Sequence, residues 1–380
     1  MEFAWTDDQI DYRRRVRQAL DELLPGDWDE AYVPESYASD KQVDFSRHFC
    51  AALAERGLLT PHWPRDYGGA DCPDWYHFIL GEEMKAAGEP RGSQYMNVNW
   101  IGPTLLKYGT AEQKARHVAG IAGGTVIWCQ GFSEPGAGTD LAALRTRAER
   151  DGDHYVVNGS KTWTSYARRA DWCFLLVRTG PGRKDVSILL VPMDTPGISV
   201  TSFPGLIKDG HLNEVFFTDV RVPVANRLGE EGQAWAIVTH ALAFERVGVP
   251  RYHTGLDALD RAVEQLRAEG RWDGDPIVRH RAGLLVARFE AARMLTYLVV
   301  DQRVRGEPPN SDANLSRIVA LDAVSDMMNF LADYLPDCLA GGDRLLEDYY
   351  RINIPAGITG GTNEIQLDLV ARGGLGLPRG

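Results

Sequence analysis

The sequence predicts a mainly α-helical fold with a central β domain. Two observations carry this. Apolar residues recur three and four apart through the N-terminal and C-terminal regions, which is the helical period. Between those regions the pattern shortens to the runs of strands, and these follow one another without intervening helices. A small antiparallel barrel or sandwich is therefore expected rather than a doubly wound sheet. The expected boundaries are 1–122 for an N-terminal helical domain, 123–230 for a middle β domain and 231–380 for a C-terminal helical bundle.

In the first region DDQIDYRRRVRQALDELL, FSRHFCAALAERGLL and WYHFILGEEMKAAGE read as helices, punctuated by Gly and Pro in PHWPRDYGGADCP. In the second, HYVVNGSKTWTSY holds two β-prone runs around Asn158-Gly159, a two-residue hairpin signal. CFLLVRT, VSILLVPM, GISVTSF and NEVFFTDVRV follow as strands. The helical period returns in QAWAIVTHALAFERVGV, LDALDRAVEQLRAEG, RHRAGLLVARFEAARMLTYLVV and NLSRIVALDAVSDMMNFLADYL.

Composition narrows the function classes. A net charge of −12 and a pI near 5.3 argue against nucleic acid or an anionic membrane as the main partner. The opening MEFAWTDDQI lacks the basic-then-apolar order of a secretory signal, and no apolar run approaches the roughly 18 residues needed to span a bilayer. A soluble, cytoplasmic protein is expected. The five cysteines are scattered without a CxxC pair, and the nine histidines form no HExxH, so neither a disulfide framework nor a bound metal is expected.

Four segments are candidates for chemistry. WCQGFSEPGAGTD (128–140) is rich in small residues, and its N–H groups suit an anion or a ring edge, although taken alone a tight interdomain turn explains it slightly better. In KTWTS (161–165) a strand would place Lys161, Trp163 and Ser165 on one face. An aromatic beside a hydroxyl suits a planar heterocycle such as a flavin, and a core tryptophan is the alternative. In ITGGTNEIQ (358–366) Asn363 and Gln366 have capping-box spacing, so a helix N-terminus able to favour a phosphate is expected there. In ALAFERVGV, Glu245 has the helical neighbours Ala241, Leu242, Gly248 and Val249, none of them polar. Burial there would raise its pKa toward that of a useful base, and a buried ion pair is the alternative.

In this order, SEPGAGTD, KTWTS and GTNEIQ with the downstream GLGLP resemble the signatures of the acyl-CoA dehydrogenase family, as do RGLLTPHWPRDYGG and GPTLLKYGTAEQK nearer the N-terminus. The resemblance implies a helical domain, a middle β domain and a C-terminal four-helix bundle, with non-covalent FAD. It places Gln130, Phe132, Ser133 and Gly138 along the cofactor, Trp163 over its ring, Ser165 near N5, and Thr362 and Glu364 by its diphosphate and ribose. Thr139 would serve both the cofactor and the CoA portion of the substrate. The Gly360 N–H would polarise the thioester carbonyl, and Phe244 and Arg246 would border the substrate. Many members carry the catalytic glutamate where this chain has Gly360. A smaller branch carries it on the preceding helix before an arginine, which matches Glu245 in FERV. The implied reaction removes a thioester α-proton to Glu245 and a β-hydride to the flavin, yielding a trans-2-enoyl-CoA, with an electron-transfer flavoprotein as acceptor.

Two departures bear on assembly. The family's Arg-x-x-Phe-Gly reads GRWDG at 270–274, and its Gln-x-x-Gly-Gly reads CLAGG at 338–342. The arginine that would reach a neighbouring subunit's FAD diphosphate is thus displaced or lost, Asp273 replaces the phenylalanine, and Cys338 replaces the glutamine that contacts a neighbour's cofactor; a carboxylate near a diphosphate is repulsive. The expectation is a tetramer, with a paralogous subunit supplying those contacts, as in bacterial heterotetrameric enzymes of steroid side-chain CoA thioesters. A homotetramer using Arg271 is the alternative. Competing functions on the same fold are a flavin oxidase or monooxygenase, and a catalytically silent partner subunit.

Overall fold

The computed structural model describes residues 4–29, 39–206, 211–247, 250–307 and 311–378; the side chains of 243–247 lie outside the description. Before the sheet come α1 (Asp7–Leu23), α2 (Asp40–Glu55), α3 (Asp74–Ala86), α4 (Gly102–Tyr108) and α5 (Ala111–Ala122). The strands are β1 (Trp128–Gly131), β2 (Arg147–Asp151), β3 (His154–Lys161), β4 (Trp172–Arg178), β5 (Val186–Pro192), β6 (Ile198–Phe203), β7 (Leu212–Pro223) and β8 (Arg227–Leu228). After them come α6 (Ala234–Val247), α7 (Arg251–Ala268), α8 (Arg271–Gly274) and α9 (Pro276–Val304). The last helices are α10 (Asp312–Tyr334), α11 (Arg344–Asn353) and α12 (Asn363–Gly373). The chain forms two compact units: a helical unit of Met1–Gln18, Pro73–Gly88 and Glu245–Gly380, and a sheet unit of Ala19–Cys72 and Glu89–Phe244.

The sheet unit holds one eight-stranded sheet in the order β6-β7-β3-β2-β4-β5-β8, with β1 added in parallel beside β4. The other ladders are antiparallel, apart from a parallel contact of β2 with β4 at Arg147 and Arg178. Strands β4 and β5 are buried along most of their length, which is why CFLLV and VSILLV read as continuous apolar runs rather than alternating ones. Helix α5 is anchored to this unit by its cap. Thr110 and Gln113 form a reciprocal capping box, and the Gln113 amide also donates to the carbonyls of Ala225 (2.9 Å) and Arg227 (2.8 Å).

The expected hairpin at Asn158-Gly159 is not formed. Strand β3 runs through both residues, and the register against β7 shifts between Val157 and Gly159, so the pair makes a bulge. Glycine is required there because φ is 146° and a Cβ would fall 2.6 Å from the Thr146 Cα. The hairpin lies one step earlier. Asp151 pairs with His154 across Gly152-Asp153, with Gly152 at a φ of 62°.

In the helical unit α7, α9 and α10 pack with α3 and α11 around Phe78, Leu259, Leu266, Phe289, Met327 and Phe330. A buried carboxylate sits in this core. Glu82, 2% exposed, accepts from Tyr252 (2.6 Å), Tyr297 (3.0 Å) and Arg13 (2.7 Å), and His253 Nε2 lies 3.5 Å away. Burial alone would push its pKa up, but the hydrogen bonds from His253, Tyr252 and Arg13 reverse this and hold it at about 2. Because the folded value lies below the ordinary 4.5, this contribution is present above that pH and is lost as pH falls toward 2. The loss is on the order of 3 kcal/mol. Melting temperatures measured down this range should fall steeply for the native chain and less steeply for Glu82→Gln; parallel curves would refute the assignment.

Candidate active site

The SEPGAGTD loop leaves β1 and is braced from beneath. Lys161, fully buried at the end of β3, donates to the Phe132 carbonyl (3.0 Å) and to Glu134 Oε1 (2.8 Å). Glu134 also accepts from the backbone N–H groups of Arg145 (2.6 Å) and Thr146 (2.9 Å). Burial drives the Lys161 pKa down to about 8 against the opposing charge of Glu134, while Glu134 is lowered despite burial, chiefly by the charge of Lys161. The Ser133 carbonyl accepts from the Thr162 N–H (2.9 Å), so KTWTS and the loop are joined through backbone. Gly138 and Thr139 are exposed at the loop tip, where a Cβ at Gly136 or Gly138 would meet nothing within 4 Å.

KTWTS is a turn, not a strand, so Lys161, Trp163 and Ser165 do not share a face. Strand β3 stops at Lys161, and Trp163 (φ 58°) and Tyr166 (φ 64°) both adopt left-handed backbone. Each such residue costs on the order of 1–3 kcal/mol and persists only where its surroundings impose it. Here they are imposed by Asn213, a residue the sequence analysis did not single out. The Thr164 N–H donates to the Asn213 carbonyl (3.0 Å), and the Asn213 amide donates to the Thr164 carbonyl (2.9 Å). The turn lifts Trp163 to 60% exposure, with its ring edge-on to Phe203 at 5.2 Å, and leaves Ser165 Oγ 3.4 Å from His211 Nε2. An asparagine next to a turn-and-strand junction was the available signal, but its partner lies 49 residues away.

Gln130, on β1, accepts at Oε1 from the Trp100 indole N–H (2.9 Å), and Trp100 stands edge-on to Tyr95 at 5.5 Å. Trp100 belongs to a π-helical turn, Asn97–Ile101, an irregularity common at functional sites. Sequence periodicity carries no signal for it.

In the helical unit the Gly360-Gly361 pair is conformationally required, with φ values of 64° and 98°. A Cβ at Gly361 would also meet Gln366 Nε2 at 2.7 Å. Buried Arg317, from α10, donates to the carbonyls of Ala356 (3.3 Å) and Thr359, which fixes the turn just before the glycines. The capping residue differs from expectation: Thr362, not Asn363, caps α12, its hydroxyl accepting from the Ile365 N–H (3.4 Å), while Gln366 donates to the Gly361 carbonyl (3.3 Å). Thr362 bears both the hydroxyl and the extended backbone a cap needs, and it precedes the first helical residue. Glu364 lies in the first turn. Phe244, Glu245 and Arg246 belong to α6 by backbone, and their side chains lie outside the described residues.

The segment expected to serve a neighbouring cofactor is acidic. Arg271 donates to Glu269 (2.9 Å) and to the Tyr334 carbonyl (2.6 Å), and Arg261 pairs with Asp343 (2.6 Å). Burial, then the carboxylates of Asp343, Glu269 and Asp337, push the Cys338 thiol up. Asp273 is exposed on α8.

The residues of the sheet unit fit a flat polar ring. A large aromatic is displayed on a strained turn beside a hydroxyl, and the adjoining glycine loop is open. Helices, then a sheet, then helices, with this loop and turn in the middle, are the scaffold that carries these residues. Three family descriptions match along the chain: acyl-CoA dehydrogenase, N-terminal domain at 6–125, middle domain at 129–220 and C-terminal domain at 232–375. The acyl-CoA dehydrogenase FadE26 of Mycobacterium tuberculosis is 32% identical over 404 residues, covering 100% of this chain and 99% of that protein. The acyl-CoA dehydrogenase IpdE1 of the same organism is 34% identical over 342 residues, covering 86% of each. Among solved structures, the ChsE4-ChsE5 complex from Mycobacterium tuberculosis superposes with a TM-score of 0.87 at 31% identity and the Tcur3481-Tcur3483 steroid ACAD with 0.86 at 32%, each covering 100% of both chains. The chain belongs to the acyl-CoA dehydrogenase family, flavoprotein oxidoreductases of lipid and steroid catabolism. Among the described residues no helix is long and apolar enough to cross a membrane, and no cluster of His, Cys, Asp and Glu could hold a metal ion.

Proposed function

We propose that this chain uses FAD to dehydrogenate a bulky, branched or steroid side-chain acyl-CoA thioester to its trans-2-enoyl-CoA. The observation that carries the cofactor assignment is Trp163, a large aromatic held exposed by a strained turn that Asn213 imposes. The steroid ACAD supports the steroid side-chain class, and the mycobacterial relatives support the acyl-CoA dehydrogenase reaction. When bound, FAD supplies acceptance of the β-hydride. The chain's own residues do the rest. Glu245 accepts the α-proton, and the Gly360 N–H donates to the thioester oxygen, where one such donor lowers a barrier by roughly 2.7–4 kcal/mol. By motif, Phe132 and Ser133 would present backbone and Gln130, Gly138 and Thr139 would serve the cofactor, Phe244 and Arg246 would border the acyl group, and Thr362 and Glu364 would hold the phosphate and ribose portion. Turnover of a panel of straight, branched and steroid side-chain CoA thioesters, with an electron-transfer flavoprotein as acceptor, tests the substrate class. A preference for short straight chains would overturn it, as would hydrogen peroxide as the main reduced product for the acceptor.

The assembly reading is a heterotetramer with a paralogous acyl-CoA dehydrogenase subunit. It is supported by Arg271, already bound to Glu269 and the Tyr334 carbonyl, and by the acidic surroundings of Cys338, which suit a diphosphate poorly. The chain expressed alone should purify with little yellow cofactor, and the chain co-expressed with a paralogue should purify yellow as a mixed tetramer. Stoichiometric FAD in the lone chain, by absorbance and native mass, would refute this.

A further inference from the structure

Behind Ser165 stands a histidine for which neither the sequence motifs nor the proposed reaction has a use. His211 lies 46 residues downstream, with Nε2 3.4 Å from Ser165 Oγ. Its position is well held: the His211 carbonyl accepts from the Tyr166 N–H (3.3 Å) and from the Asn213 amide (3.4 Å), and its ring meets Tyr166 edge-on at 5.2 Å. Its other ring nitrogen, Nδ1, is shielded from solvent and has no hydrogen-bond partner among the described residues. Burial lowers the imidazole pKa to about 4, so the ring is neutral at pH 7 and carries one proton on one of two nitrogens.

Which nitrogen carries it decides what Ser165 can do. A serine hydroxyl has one proton to donate and lone pairs to accept with. With Nε2 bare, the Ser165 proton would be drawn to the histidine, and Nδ1–H would be a buried donor without an acceptor. With Nε2 protonated, the hydroxyl accepts from the ring and keeps its own proton for another partner. The bare nitrogen is then an unpaired acceptor, which proteins tolerate better than an orphaned N–H.

We propose that His211 is a positioning residue that donates from Nε2–H to Ser165 Oγ and thereby turns the Ser165 hydroxyl proton toward the flavin ring. This rests on the reading that Ser165 faces FAD. The effect is a stronger hydrogen bond to N5 of the oxidised cofactor, where N5 can accept, hence tighter FAD binding and a lower reduction potential.

Two measurements test it separately. Nitrogen-15 spectra of histidine-labelled protein, assigned with His211→Gln, should show His211 neutral at pH 7 with the proton on Nε2. A proton on Nδ1, or a charged ring, overturns the proposal, and this measurement needs no cofactor. Titration of flavin-free protein with FAD, using whichever assembly binds it, should show His211→Phe weakening binding about tenfold with a raised reduction potential. Ser165→Ala should match it, and the double variant should add nothing further, because both remove one interaction. His211→Gln, whose amide can donate from a similar place, should recover most of the loss. Additive effects, or native affinity and potential in His211→Phe, overturn the proposal. If no assembly containing the native chain binds FAD, the flavin reading fails instead, and the nitrogen spectra still decide the histidine–serine bond.

Discussion

Lys161→Met should lower stability by about 3–5 kcal/mol, among the largest losses a single substitution produces. The native Nζ lies 2.8 Å from Glu134 and 3.0 Å from the Phe132 carbonyl, and Lys161 is 0% exposed. Methionine fills similar volume but leaves the Glu134 carboxylate charged, out of water and without its cation. The damage extends to the site, because the same ammonium holds the Phe132 peptide and the loop that follows. Glu134→Gln is the informative companion: it keeps acceptors near the Arg145 and Thr146 N–H groups and should cost less. Urea unfolding midpoints measure both. A loss below about 1 kcal/mol for Lys161→Met would mean that the pair is solvated or dispensable.

Glu245→Gln should reduce enoyl-CoA formation by about 10²–10⁴-fold, the usual contribution of a general base. Glutamine keeps the shape of glutamate but cannot accept a proton at neutral pH, so substrate and flavin binding should change little while kcat falls. Glu245 lies on α6, where Ala241, one turn earlier, is 1% exposed and Leu242 is partly buried, so that face is apolar. Stopped-flow reduction of the flavin by substrate isolates the step. Unchanged turnover would transfer the chemistry to a partner subunit and leave this chain a supporting role.

Much of the fold was legible because it depends on local periodicity. Among the described residues the helical segments read from the sequence reappear, as do the strand segments apart from KTWTS, since each is amphipathic or continuously apolar over its own length. The candidate site was marked in the sequence where motifs carry it, in the SEPGAGTD loop and the glycine pair before α12. Errors fall where two readings share one local pattern. Asn158-Gly159 suits a hairpin as well as a bulge, and the bulge forms because β7 continues alongside β3 and Thr146 approaches Gly159. KTWTS has strand composition, yet hydrogen bonds with Asn213 and His211 bend it into a turn.

By itself, then, the amino-acid order determined most of the stretches that are helix or strand, the succession of helices, sheet and helices, and the family to which the loops point. Only the tertiary structure decided that Trp163 is displayed on a strained turn, that Lys161 neutralises Glu134 beneath the loop, and that His211 stands behind Ser165. The physical reason is range. Periodicity and capping act within a few residues, whereas these pairings join groups 27 and 46 residues apart, and nothing in either local pattern specifies the other.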